Sequence, residues 1–183
     1  MRPGSEHNRD SCVGLHALMA AEHADLGQLL HSAAGRGRAI DKQAYQHFRE
    51  RLLRHIRIEE RILLPMAARR RGQALAIAAR LRLDHGALAA LLMLPPVGHA
   101  YRAIRAVLDG HNPLEETEGG VYEQCERLAG SEINELLAQI AATPPVPVSS
   151  WVDSPKVLAA AKRALARAGY DTGLLEPGDG QSQ

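Results

Sequence analysis

The chain has 183 residues, 45% of them hydrophobic and only 3% aromatic, with a formal net charge of +1. That length carries one domain with a full core, and a mixture rich in alanine and leucine favours closely packed helices. The near-neutral charge supplies no global field toward nucleic acid or an anionic membrane. The two cysteines are too few for a disulfide framework, and no apolar run approaches the roughly eighteen residues of a membrane span.

In chain order, residues 1–10 read as a polar leader without the apolar stretch of a signal peptide, so the expected address is cytoplasmic. A first helix is expected over 11–34, where Leu15, Leu18, Met19, Leu26, Leu29 and Leu30 recur at helical spacing. The glycine-rich stretch from Gly35 to Arg38 breaks it. Asp41 suits the N-cap of a second helix over 42–71, which Pro65 should kink or end. Gly72 separates a third helix over 73–94. After Pro95-Pro96 a fourth runs over 97–109, resumes near Asn112, weakens at Gly119-Gly120 and continues over 121–142. Three prolines in 143–150 mark a linker, and Pro155 suits the first turn of a short helix over 154–168. Residues 170–183 are polar and glycine-rich and read as disordered.

The chemistry concentrates in two related stretches. His55 and Glu59 stand four residues apart, one helical turn, so imidazole and carboxylate share a face. His111 and Glu115 repeat that spacing. Each pair is preceded by a helix carrying a histidine in similar company, Glu22-His23-Ala24-Asp25-Leu26 and Asp84-His85-Gly86-Ala87-Leu88. The two halves align at an offset of 56 residues for the pairs and 62 for the single histidines. One His-x-x-x-Glu is ordinarily a solvated pair; two copies, each with its own histidine-bearing helix, converge on a metal site. Imidazole nitrogen and carboxylate oxygen suit iron, manganese or zinc. Four histidines and two bridging glutamates match the needs of two ions. Phe48 and Met66 flank the first pair on its face, and Ile104 and Tyr122 the second, as apolar layers above and below the ligands.

As a set, His23, His55, Glu59, His85, His111 and Glu115 resemble the ligand order of the hemerythrin-like (HHE cation-binding) family, over about residues 11–142. The resemblance implies an all-α, up-down four-helix bundle with a C-terminal helical extension over 143–183. It implies two non-heme irons, oxo- or hydroxo-bridged, with His23 and His55 on one, His85 and His111 on the other, and Glu59 and Glu115 bridging. The small partner implied is dioxygen, peroxide or nitric oxide, with no nucleic acid and no membrane. Oxygen-carrying members have a further histidine one turn after the third-helix histidine, where this chain has Ala89. That departure favours peroxide or other redox chemistry over oxygen carriage, or completion of the coordination by a tyrosine, Glu60 or Glu116. The alternative reading is an iron or oxygen sensor without turnover, signalling to a protein partner through residues 151–183.

Pro113 should place His111 at a kink. Tyr122, seven after Glu115, lies on the ligand stripe, either packed or donating a hydrogen bond to a bound ligand. Tyr45 and Tyr101 read as core, His31 and His47 as surface, and His16 as a packed residue or an entrance residue. Cys12 and Cys125 read as small apolar residues rather than redox thiols. Arg69-Arg70-Arg71 suits a solvated helix end, and Trp151 should anchor the C-terminal helix.

Overall fold

The computed structural model describes residues 14–34 and 40–176. The leader, Cys12, the Gly35–Arg38 break and the tail from residue 177 lie outside the described residues. All regular structure within them is helical: α1 (Leu15–Ala33), α2 (Lys42–Ile58), α3 (Leu64–Arg71), α4 (Ala78–Leu91), α5 (Gly98–Glu116), α6 (Val121–Ala129), α7 (Ile133–Ala141) and α8 (Pro155–Arg167). A π-helical turn, Glu59–Leu63, carries α2 directly into α3, and 3-10 turns span Gly130–Glu132 and Thr172–Leu175. No helix among the described residues is long and apolar enough to cross a membrane.

Local chemistry accounts for the boundaries. The Asp41 carboxylate accepts hydrogen bonds from the amides of Gln43 and Ala44, capping α2. Gly72, at φ 74°, ends α3 in the left-handed conformation that only glycine takes without strain. The Ser154 hydroxyl accepts from the Val157 amide, with Pro155 opening α8.

The regular α-helix stops at Ile58 and resumes at Leu64, with Pro65 in the first turn of α3. A proline cannot donate to the carbonyl four residues back, and its ring crowds that carbonyl. The chain answers by widening one turn: the Leu64 amide reaches Glu59 through the π-helical segment. Pro113 has less effect than its type suggests, for α5 runs through it without a break from Gly98 to Glu116. Both Pro113 and Asp109, whose carbonyl loses its partner, are exposed, so water can satisfy that carbonyl. The break falls instead at Thr117–Gly120, where Gly119 adopts φ 73°.

The helices pack as α1 on α2 and α4 on α5, with α6 against α1, α3 and α5, and α8 on α4. Two apolar clusters result. One holds Leu26, Leu30, Phe48, Leu52, Leu88, Leu91, Ile104 and Val107 with Ala161 and Leu165 of α8. The other holds Leu15, Met19, Ile58, Leu63, Leu81, Tyr122, Cys125, Leu136 and Ile140. Along α1, α2 and α4, residues of the second cluster are followed or preceded by a histidine and then by residues of the first: Met19-His23-Leu26, Leu52-His55-Ile58, Leu81-His85-Leu88. A buried polar layer therefore separates the two clusters.

Residues 142–176 pack on the helices rather than forming a free linker and tail. Arg54 donates to the carbonyls of Ile140 and Thr143, and Arg49 to that of Ser149. Arg49 is 1% exposed and also lies 5.7 Å from the Trp151 ring centroid, so Trp151 holds this segment to α2. The Val152 amide bonds to the Met93 carbonyl. The stretch from Tyr170 to Glu176 folds back, with Leu175 buried and the Tyr170 hydroxyl donating to the Val107 carbonyl of α5.

A Cβ on Gly120 would stand 2.6 Å from the carbonyl oxygens of both Glu115 and Thr117, which are backbone and cannot swing aside. Gly120→Ala should therefore lower stability by about 1–3 kcal/mol. Urea unfolding followed by circular dichroism checks this; an unchanged midpoint would mean that the α5–α6 turn is free to move.

Candidate metal centre

Each helix delivers its ligand by simple spacing. α1 presents His23, α2 presents His55, the π-helical turn presents Glu59, α4 presents His85, and α5 presents His111 and Glu115. All six are buried, between 0% and 6% exposed. They form two groups, His23–His55–Glu59–Glu115 and Glu59–His85–His111–Glu115, each with one donor atom per residue and all within 4.8 Å of one another. The two glutamates belong to both groups. Glu59 turns Oε1 to His55 Nε2 at 2.9 Å and Oε2 to His85 Nε2 at 3.1 Å. Glu115 turns Oε2 to His111 Nε2 at 3.2 Å and to His23 Nε2 at 3.5 Å. His111 and Glu115 thus pair much as His55 and Glu59 do, despite Pro113.

The outward nitrogens follow one rule. His55 Nδ1 donates to Glu22 at 2.9 Å, His85 Nδ1 to Glu60 at 2.8 Å, and His23 Nδ1 to Glu116. His111 Nδ1 stands 3.5 Å from Asp84. A hydrogen on Nδ1 leaves Nε2 as a bare lone pair in the neutral ring, the form that binds a cation. The partners alternate between halves: the acid preceding each single histidine faces the other helix's histidine, and the second acid of each Glu-Glu faces a single histidine. Arginines hold three of these acids, Arg54 at Glu22, Arg80 at Asp84 and Arg82 at Glu60. Glu60 and Glu116, considered above as extra ligands, instead orient histidines. Glu22 and Asp84 were visible in the sequence only as neighbours of His23 and His85.

Tyr122 is the residue whose role spacing left open. It is fully buried, and its hydroxyl lies 2.5 Å from Glu59 Oε1 and 3.0 Å from Glu115 Oε2. The others fall where they were expected: Tyr45 is core, Tyr101 half-buried, and His31 and His47 exposed. His16 bonds to the Glu116 carbonyl. Cys125 is buried, its thiol pushed up to about 12 by burial and by Glu115 and Glu59.

The electrostatics mark an excess of lone pairs. His23 Nε2 and His55 Nε2 face each other at 2.8 Å. Glu115 Oε1 is buried without a hydrogen-bond partner, and Glu59 Oε2 and His85 Nε2, 3.1 Å apart, do not meet in hydrogen-bond geometry. Buried polar atoms are rarely left so. Protons compensate in part. Burial opposes charge on His55, but Glu59 and Glu22 outweigh it and raise its pKa to about 10. His111 rises likewise to about 10 through Asp84, Glu115 and Glu59. Burial and the neighbouring His55 lower His23 to about 3. Burial and Glu59 raise Glu115, and burial with both glutamates holds the Tyr122 phenol well above its usual range. The buried His/Glu groups could hold a metal ion, and the orphaned acceptors are where a cation would be attracted. A cavity of about 510 Å³ between α1 and α5 reaches His23 and Asn112, the neighbour of His111, past Leu26, Leu30 and Leu108.

Without metal, the raised histidines bind protons that the unfolded chain has released. Their contribution to stability is complete below about pH 6.5 and is lost as pH climbs toward about 10. His23 acts oppositely, costing stability as pH falls below 6.5. The metal-free chain should therefore be most stable near pH 6.5, and metal, taking the place of the protons, should remove the alkaline loss. Urea midpoints at pH 6.5 and 9, with chelator and with iron, measure this; a chelated midpoint that rises with pH contradicts it. Separately, Glu22→Gln should weaken metal binding by about 10–100-fold, read by competition with a chromophoric chelator.

No family model, no curated protein and no solved structure matches this chain.

Proposed function

We propose that this is a non-heme diiron protein of the hemerythrin-like kind, which binds or reacts with dioxygen, peroxide or nitric oxide. The observation that carries the reading is the pairing of two buried donor groups, each with two imidazole nitrogens, that share both glutamates. On this reading α1, α2, α4 and α5 form the up-down four-helix bundle, with α8 as its C-terminal extension. Nitrogen and oxygen donors in this mixture fit iron, and shared carboxylates fit two ions of like charge held close together. Bound as a pair, the irons would supply reversible electron transfer and positions open to a small oxygen or nitrogen species.

The chain's own residues do the rest. Glu22, Glu60 and Glu116 fix three of the histidine rings so that Nε2 faces inward, and Asp84 lies 3.5 Å from Nδ1 of the fourth, His111. The apolar clusters on both sides keep bulk water from the layer. Of the six donors, the cavity of about 510 Å³ between α1 and α5 touches His23.

The sensor reading also has a supporting observation. Tyr170 stacks on Arg80 at 5.3 Å, Arg80 binds Asp84 at 3.1 Å, and Asp84 faces His111 at 3.5 Å. A change at the centre thus has a short polar route to the C-terminal segment.

Iron loaded anaerobically should reach about two ions per chain, and His55→Ala and His85→Ala should each lower that content and the affinity. Air or peroxide should then change the visible spectrum. Dismutation of peroxide into water and dioxygen, followed with an oxygen electrode, marks an enzyme. A spectral change without turnover, with altered proteolysis after residue 143, marks a sensor. Iron content unaffected by either alanine variant would remove the diiron reading.

A further inference from the structure

The two donor groups are alike in composition and unlike in surroundings. Around the first, four atoms converge on one oxygen: His23 Nε2 at 3.0 Å, His55 Nε2 at 3.2 Å, Glu59 Oε1 at 2.5 Å and Glu115 Oε2 at 3.0 Å from the Tyr122 hydroxyl. These are one atom from every member of that group. A phenol carries a single hydrogen and can donate to one of the four. The remaining contacts set lone pair against lone pair unless a neighbouring histidine carries a proton, and a cation among them would turn every one into an attraction. Around the second group the pattern reverses. His85 Nε2 and Glu59 Oε2 lie 3.1 Å apart without the geometry of a hydrogen bond, Glu115 Oε1 has no partner, and Tyr122 has no hydrogen bond to His85 or His111.

The helix irregularities place this oxygen. At the 56-residue offset that aligns the halves, Tyr122 corresponds to Met66. In the first half the chain passes from Glu59 to Met66 through the π-helical turn, and Met66 offers only a thioether. In the second half the chain breaks at Thr117–Gly120 and restarts as α6, whose second residue is Tyr122. The break moves the ring onto a separate helix and aims it back into the layer.

We propose that Tyr122 is a phenolate ligand of the metal ion held by His23 and His55, so that the ion held by His85 and His111 has one protein donor fewer. This rests on reading the centre as dinuclear. Coordination breaks the phenolic O–H bond, forms a metal–oxygen bond and releases the proton to solvent; no electron moves. The first ion then has five protein donors, His23, His55, Glu59, Glu115 and Tyr122, and the second has four, His85, His111, Glu59 and Glu115.

The test is optical and independent of turnover. Full-length protein is loaded with iron(II) without air, oxidised to iron(III), and examined by visible absorption and by resonance Raman scattering excited in the visible band. The wild-type protein should have a phenolate-to-iron charge-transfer band with enhanced tyrosinate ring modes. Tyr122→Phe should lose the band and the modes while keeping the wild-type iron content. The chain has four tyrosines, so if Tyr122→Phe does not fold, Tyr45→Phe, Tyr101→Phe and Tyr170→Phe settle the assignment by elimination, each keeping the band. Loss of the band in any of those three, or its persistence in Tyr122→Phe, would overturn the proposal. Two irons per chain without tyrosinate modes would overturn it too, leaving the dinuclear reading intact. No bound iron would overturn both.

Discussion

Everything in this molecule is arranged around a layer of buried acceptors that cannot neutralise itself. Two glutamates and four histidines lie between two apolar clusters, each residue nearly sealed from water. Carboxylates so placed are costly unless paired, and inward lone pairs repel unless something positive lies among them. Protons on His55 and His111 answer part of the demand in the metal-free chain. The direction of both shifts shows that the carboxylates favour positive charge in the layer despite its burial. Outside the layer the order of charge alternates: histidine, then acid, then Arg54, Arg80 or Arg82. The arginines sit toward solvent, where charge is tolerated, and the acids they hold turn the rings.

This arrangement constrains the helices more than helix propensity does. The π-helical turn at Glu59–Leu63 and the break at Thr117–Gly120 occupy overlapping places in the two halves, the first beginning at Glu59 itself and the second two residues past Glu115. In both, the regular ladder of backbone hydrogen bonds gives way just where a carboxylate enters the layer. Pro65 explains the first departure, and the positive φ of Gly119 with the close approach at Gly120 explains the second. Irregular turns of this kind concentrate at functional positions, where the backbone is bent to aim a side chain.

The parts of the site that were legible in the sequence are those that depend on one helix at a time. His55 with Glu59, and His111 with Glu115, follow from the four-residue spacing alone, and the repeat brings His23 and His85 into the same set. The acids that orient the rings were not legible. Glu22 is adjacent to His23 yet bonds to His55, because neighbouring residues on a helix point about 100° apart and only the packing of α1 on α2 decides whom each meets. Residue type misled at Pro113, where an exposed carbonyl made the missing amide harmless. It misled again over 170–176, where a few apolar residues, Leu174 and Leu175 among them, were enough to dock a polar segment.

The near-duplication of the two halves sharpens the difference at position 122. A perfectly repeated chain would give the two donor groups equal surroundings. The four histidines, the two glutamates and the four orienting acids obey the repeat. Position 122 does not, because the first half has Met66 at the corresponding place. A tyrosine fully buried in an apolar cluster, with its hydroxyl among four polar atoms of one donor group, has a cost that packing alone would avoid, since phenylalanine fills the same volume without a polar atom to satisfy. Its hydroxyl is accounted for only by the layer it enters. By entering on one side, it makes two chemically similar donor groups inequivalent.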